Sequence, residues 1–143
     1  MKKMTKAEAY DFLATGTRTG KLATVREDGR PHVAPIWFVL DGEDLIFNTW
    51  HASVKGRNLV RDGRIALTVD EEVAPYAFVL VEGSVEITDD DLAESKKWAR
   101  RIGARYMGKE QAEAFGERNG VPGELLVRVK VSNIVARKEM AAW

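Results

Sequence analysis

Apolar runs of strand length, bounded by turns rich in Asp and Gly, recur along this chain, and stretches with helical spacing interrupt them. Near the start, Thr5 precedes Ala7, Ala9, Phe12 and Leu13, a spacing that predicts a short amphipathic helix capped by Thr5 and ending near Gly16. This helix is expected to lid one end of a barrel. Three strands follow, Lys21 to Arg26, Pro31 to Leu40 and Asp44 to Thr49, joined by Glu27-Asp28-Gly29-Arg30 and Asp41-Gly42-Glu43. Asp-Gly in both connections predicts an antiparallel meander. The middle strand carries Val33, Pro35, Trp37 and Val39 on one face and Ala34, Ile36, Phe38 and Leu40 on the other. A strand apolar on both faces reads as central, yet Pro35 has no amide to offer a ladder. That conflict calls for a bulge, or for an edge position where something other than a strand lies beside the backbone.

Ser53 opens a second helical stretch to Asp62, with Val54, Leu59 and Val60 at positions suited to burial and Gly63 as its stop. Strands are predicted at Arg64 to Val69 and Tyr76 to Ile87, separated by the acidic loop Asp70-Glu71-Glu72. Thr88 with Asp89, Asp90 and Asp91 marks a helix start, because carboxylates favour the positive end of a helix dipole. That helix should run to about Tyr106, with a second helical piece at Lys109 to Glu117 and a final strand from Glu124 to Ala136. The expectation is a mainly-β protein, a six-stranded antiparallel barrel with short peripheral helices, filling residues 1–143 as one domain.

Composition narrows the chemistry. Lys plus Arg and Asp plus Glu each number 22, so no global field points to nucleic acid or to an anionic membrane. With no cysteine, thiol nucleophiles and cysteine-ligated metals are excluded, and redox chemistry requires a bound cofactor. No stretch approaches the roughly 20 apolar residues of a membrane span, and no apolar run of signal-peptide type follows the first lysines, so a cytoplasmic protein without membrane or nucleic-acid partners is expected.

The segment from Phe47 to Leu59 carries the most chemistry. A strand runs into a helix start there, with the Thr49 and Ser53 hydroxyls, free backbone amides, and the cations Lys55 and Arg57. Helix N-termini of this kind suit a phosphate. The alternative is that Ser53 only caps a helix and the cations are solvated. Trp37, Trp50 and Tyr76 are candidates to flank a planar ring, with Pro35 and its neighbours offering backbone groups to ring heteroatoms; plain core packing is the alternative. His32 and His51 are the only histidines, unsuited by number and spacing to a metal site and retained as candidate proton donors.

The stretch Gly20-Lys21-Leu22-Ala23-Thr24-Val25 with Gly29-Arg30-Pro31-His32-Val33-Ala34-Pro35-Ile36-Trp37-Phe38, then Phe47-Asn48-Thr49, Ser53-Val54-Lys55 and Asn58-Leu59, resembles the pyridoxamine-phosphate-oxidase-like split barrels over nearly the whole chain. Within them, the Pro-His-Val-Ala-Pro-Ile-Trp strand followed by Asn-Thr and Ser-x-Lys-x-x-Asn-Leu resembles the actinobacterial deazaflavin-dependent reductases. The resemblance implies a homodimer with two cofactors between the barrels. It places the phosphate near Thr49, Ser53, Lys55, Arg57 and Asn58, and brings His32, Pro35, Ile36, Trp37, Asn48, Trp50 and Val54 into the cofactor site. The implied cofactor is coenzyme F420, with FMN as the alternative, and Arg57, Arg61, Arg18 and Lys21 are candidates for the oligoglutamate tail. The implied activity is hydride transfer from reduced deazaflavin to a small molecule with an activated double bond, such as an enone, a quinone or a tetrapyrrole. A non-enzymatic cofactor or tetrapyrrole carrier is the remaining reading, and no catalytic residue is singled out.

Overall fold

The computed structural model describes residues 1–143. In chain order the elements are β1 (Lys2–Lys3), α1 (Lys6–Ala14), β2 (Gly20–Val25), β3 (Pro31–Ile36), β4 (Val39–Asp41), β5 (Asp44–Trp50), α2 (Val54–Arg61), β6 (Arg64–Glu71), β7 (Ala77–Thr88), α3 (Leu92–Met107), a 3₁₀ turn (Lys109–Gln111), α4 (Ala112–Asn119) and β8 (Glu124–Lys138). The fold is mainly β, one antiparallel sheet curled into a split barrel. It has eight strands rather than six, because two residues at the N-terminus pair with β8 and the expected Pro31–Leu40 strand is two strands.

That division corrects the meander. The sheet order is β3-β2-β6-β7-β8-β5-β4, so β3 and β4, consecutive in the chain, lie at opposite edges. β3 pairs only with β2, and β4 only with β5. The chain breaks from the ladder at Trp37-Phe38 and closes the barrel covalently where no hydrogen-bonded ladder does. Pro35 therefore sits on an edge strand, the position its missing amide requires.

The interior follows from the register. Leu22, Leu67 and Val81 stand opposite one another across β2, β6 and β7, Val69 faces Val79, and all are buried with Phe38, Leu45, Phe47 and Val127. α1 drops Ala9 and Leu13 into one end of this core, capped by a reciprocal box between Thr5 and Glu8. α2 seals another part of it with Leu59. Val54 and Val60, expected to be buried, are exposed, and the positions buried instead are Gly56 and Asn58. Outside the barrel, α3 packs Trp98 on Ile46 and Leu126, and its N-cap is Asp91, three residues beyond the Thr88 start expected from sequence.

The break at Trp37-Phe38 is closed by α3. Arg105 donates to the carbonyls of Phe38 (2.7 Å), Leu13 (2.7 Å) and Gly16 (2.9 Å), while the Tyr106 hydroxyl accepts the Phe38 amide and donates to the Arg18 carbonyl. Both backbone groups of Phe38 thus find partners although no strand lies beside them. Burial pushes the Arg105 guanidinium below its usual pKa. No helix is long and apolar enough to cross a membrane.

Candidate functional site

Beside the closed break lies a cavity of about 270 Å³ lined by Pro35, Ile36 and Trp37 of the β3 exit, Asn48 of β5, Lys55 of α2, Ile102 of α3 and Asn119 of α4. Five residues that the sequence proposes for the cofactor therefore share one concavity. Asn48 alternates with the core residues Phe47 and Thr49, so its side chain stands on the outer face of the sheet. Its Nδ2 is buried and has no hydrogen-bond partner in the chain. Lys55 forms neither an ion pair nor a side-chain hydrogen bond, although α2 keeps it partly shielded. An orphaned amide donor and an unpaired cation on one wall equip the cavity for an acceptor-rich or anionic group.

The hydroxyls behave differently from the expectation. Ser53 is the N-cap of α2: its Oγ accepts from the Gly56 amide (3.0 Å), donates to the Trp50 carbonyl (2.8 Å) and is hydrogen-bonded to Thr49 Oγ1 (3.1 Å). Thr49 itself is buried. Neither hydroxyl is presented to a ligand. What the helix start does present is the amides of Val54 and Lys55, which have no acceptor in the chain. Asn58 is likewise engaged, donating Nδ2 to Thr24 Oγ1 at 3.0 Å and accepting from Arg61 at 3.3 Å. Its role in the structure is to tie α2 to β2.

Trp37 is not a free platform. Its ring stacks on Tyr106 at 5.1 Å between centroids, 5° from parallel, and tilts against Phe115 at 5.5 Å. It forms a wall of the cavity, held by α3 and α4. Trp50 and His51 are exposed and tilt against each other at 4.7 Å. Tyr76 lies far along the barrel at the start of β7, in a left-handed conformation (φ 66°), with Phe78 and Met140. His32 stands opposite Thr24 on the edge strand, and its Nδ1 is buried without a partner.

The basic residues divide into two groups. Arg57 and Arg61 share a groove of about 430 Å³ with Arg26 and Arg30, along the side of α2. Arg61 also donates to the Val25 carbonyl. Arg18 and Lys21, expected beside them, are instead paired with Glu71 (3.3 Å) and Asp70 (3.0 Å). The residues missed by sequence are Ile102, Asn119 and Glu124. The first two come from the α3–α4 hairpin, and Glu124 opens β8 directly opposite Trp50. A lone carboxylate at the head of the otherwise apolar run Leu125-Leu126-Val127 was the available signal.

A split antiparallel barrel with a partly equipped cavity at its break defines the class. The sequence profile of the pyridoxamine 5'-phosphate oxidase family matches residues 5–137, and the chain belongs to this family of oxidoreductases. Among solved structures, the conserved hypothetical protein Rv2991 from Mycobacterium tuberculosis is similar with a TM-score of 0.83 at 24% identity, over 96% of this chain and 87% of that one. An F420 reductase is similar at 28% identity with a TM-score of 0.68, over 87% and 94% of the two chains. A FAD-binding protein from Mesorhizobium loti shares the fold at 19% identity and a TM-score of 0.71, over 94% and 93%.

Proposed function

We propose that this chain is an F420-dependent reductase whose cofactor occupies the cavity at the barrel break. The observation that carries the reading is the Asn48 Nδ2, buried without an acceptor in the same cavity wall as the unpaired Lys55. The F420 reductase similar at 28% identity supports the choice of cofactor. In this reading Lys55 and the free amides of Val54 and Lys55 receive the phosphate, Asn48 donates to an acceptor of the ring system, and Pro35, Ile36 and Trp37 line the ring's edge. Reduced deazaflavin supplies a hydride, which suits an activated double bond such as an enone, a quinone or a tetrapyrrole bridge. The chain's part is to bind, to orient and, through Ile36, Trp37 and Ile102, to keep water from one side of the site.

Arg26, Arg57 and Arg61 form the proposed surface for the oligoglutamate tail, replacing Arg18 and Lys21, whose charges are already compensated. The cavity, at about 270 Å³, falls just below the roughly 300–1,000 Å³ usual for a cofactor site. A second copy is proposed to complete it. The outer face of β3–β2–β6 suits that copy: Val33, Ala23 and Ala66 stand opposite one another there, Val33 is 65% exposed, and α3 packs instead against β5, β4 and β8.

FMN is the second reading, since Lys55 and the α2 amides would receive its phosphate equally well. Titration of the dialysed protein with F420 and with FMN, followed by cofactor fluorescence, separates them. Micromolar or tighter binding of F420 with weak FMN binding, and turnover of a quinone or enone by reduced F420, is the expected result. A preference for FMN would transfer the site to the flavin. Saturable binding without turnover on a broad acceptor panel would favour a carrier, and binding of neither would refute the site.

A further inference from the structure

Eight carboxylates of this chain are partly shielded from solvent: Glu8, Asp44, Asp62, Asp70, Glu71, Glu94, Glu124 and Glu139. Seven have a cation within ion-pair distance, respectively Lys138, Arg128, Arg64, Lys21, Arg18, Lys97 and Lys2 for all but Glu124. Glu124 has neither an ion pair nor a side-chain hydrogen bond. It stands opposite Trp50 on the outer face of the β5–β8 ladder, one step along from Asn48 and Leu126. The His51 amide donates to the Gly123 carbonyl at 2.9 Å, tying the head of β8 to the turn that opens α2, and the cations whose charge acts on Glu124 are Lys55 of α2 and Arg118 of α4. Across the ladder β5 offers only the uncharged Trp50, and His51, tilted against that ring, is the remaining titratable group of this corner.

We propose that Glu124 is the counter-charge of the Lys55 anion site, so that arrival of a phosphorylated ligand at Lys55 is coupled to uptake of a proton by the Glu124 carboxylate. The inference rests on the reading of Lys55 as a phosphate ligand. With the site empty, ionised Glu124 is favoured by Lys55 and Arg118 and disfavoured by its half-buried position. A phosphate at Lys55 takes over that cation and adds negative charge beside the carboxylate. Both changes favour the protonated acid. The coupling is reciprocal: whatever the ligand does to the proton affinity of Glu124, protonation of Glu124 does to ligand affinity. Burial already pushes the Glu124 carboxyl above its ordinary value, which moves the effect toward the working pH range.

The test is calorimetric titration with F420 and with FMN between pH 5 and pH 8, in buffers of different ionisation enthalpy, on the wild-type chain and on Glu124→Gln. The FMN phosphate itself titrates in this range, so the difference between the two proteins is the quantity read. Affinity of the wild type relative to Glu124→Gln should fall as pH rises, up to about tenfold for each unit by which the bound anion raises the carboxyl's pKa. Proton uptake should appear in the wild type and be smaller in the variant. The buffer comparison on the wild type alone provides a measure that needs no variant. Binding with the same pH dependence in both proteins, or with no proton uptake, would overturn the inference while leaving the site intact. Failure of either cofactor to bind at any pH would overturn the reading of Lys55 and the inference with it.

Discussion

The two sides of the break at Trp37-Phe38 are built from the same segment and treat their polar groups in opposite ways. On the Phe38 side, Arg105 and Tyr106 satisfy both backbone groups of Phe38 and three further carbonyls, of Leu13, Gly16 and Arg18. On the Trp37 side, Asn48 Nδ2 has no partner, Lys55 has no anion and Glu124 has no cation at contact distance. Buried polar groups are normally paired, and unpaired ones weaken a fold. The contrast teaches which half of the break maintains the fold and which is reserved for something the chain does not itself supply.

The largest expected effect is on the closed side. Arg105→Ala removes three hydrogen bonds from a half-buried cation and leaves carbonyls without donors, which should cost about 3–5 kcal/mol and lower Tm by roughly 10 °C in a thermal melt. A loss below about 1 kcal/mol would mean that the seam is held elsewhere. On the open side, Lys55→Ala should leave Tm within about 2 °C of the wild type. It should weaken cofactor binding ten- to a hundredfold, the effect of losing a charge-assisted contact of about 1.5–3 kcal/mol. Asn48→Leu sharpens the contrast further. Replacing an unsatisfied amide by an apolar group of similar size should raise or preserve stability, while binding falls by about fivefold. If it destabilised the free protein by more than about 1 kcal/mol, Asn48 would be a structural residue.

The smallest effect concerns pH. The Glu124 carboxyl has its folded pKa raised by burial, so the folded chain holds the proton more tightly than the unfolded one. Its contribution is most favourable at low pH and is lost as pH rises through the ordinary value of 4.5 toward the folded value. Asp44 has the opposite sign: hydrogen bonds from Lys130 and Arg128 hold its carboxyl low, and the stability it gives is lost as pH falls through its folded value. Glu124→Gln should therefore raise Tm slightly at pH 7 and not at pH 4, and an equal change at both would remove the electrostatic account of this residue.

Much of the framework on both sides of the break was legible in the sequence, and little of what closes it. Thr5 and Ser53 as caps, the Asp-Gly connections and the strand runs depend on local chemistry, and the structure has them near the expected positions. The division of Pro31–Leu40 was not legible, because strand periodicity continues through Trp37-Phe38 and only Pro35 registered an objection. What separates β3 from β4 is pairing at opposite sheet edges, a property of the whole barrel. The same holds for the site. Asn48 and Lys55 could be named from a local pattern, whereas Ile102 and Asn119 reach it through tertiary packing, and Glu124 comes beside it only through the pairing of β8 with β5. Ser53 and Asn58, close to Lys55 in sequence, proved to have their side chains engaged inside the fold.

The most direct test of the account is a paired measurement of stability and F420 affinity on Asn48→Leu and Lys55→Ala beside the wild type. The account predicts unchanged or higher stability together with a clear loss of affinity for both variants. Loss of stability with affinity preserved would contradict it, and would make the open side of the break as structural as the closed one.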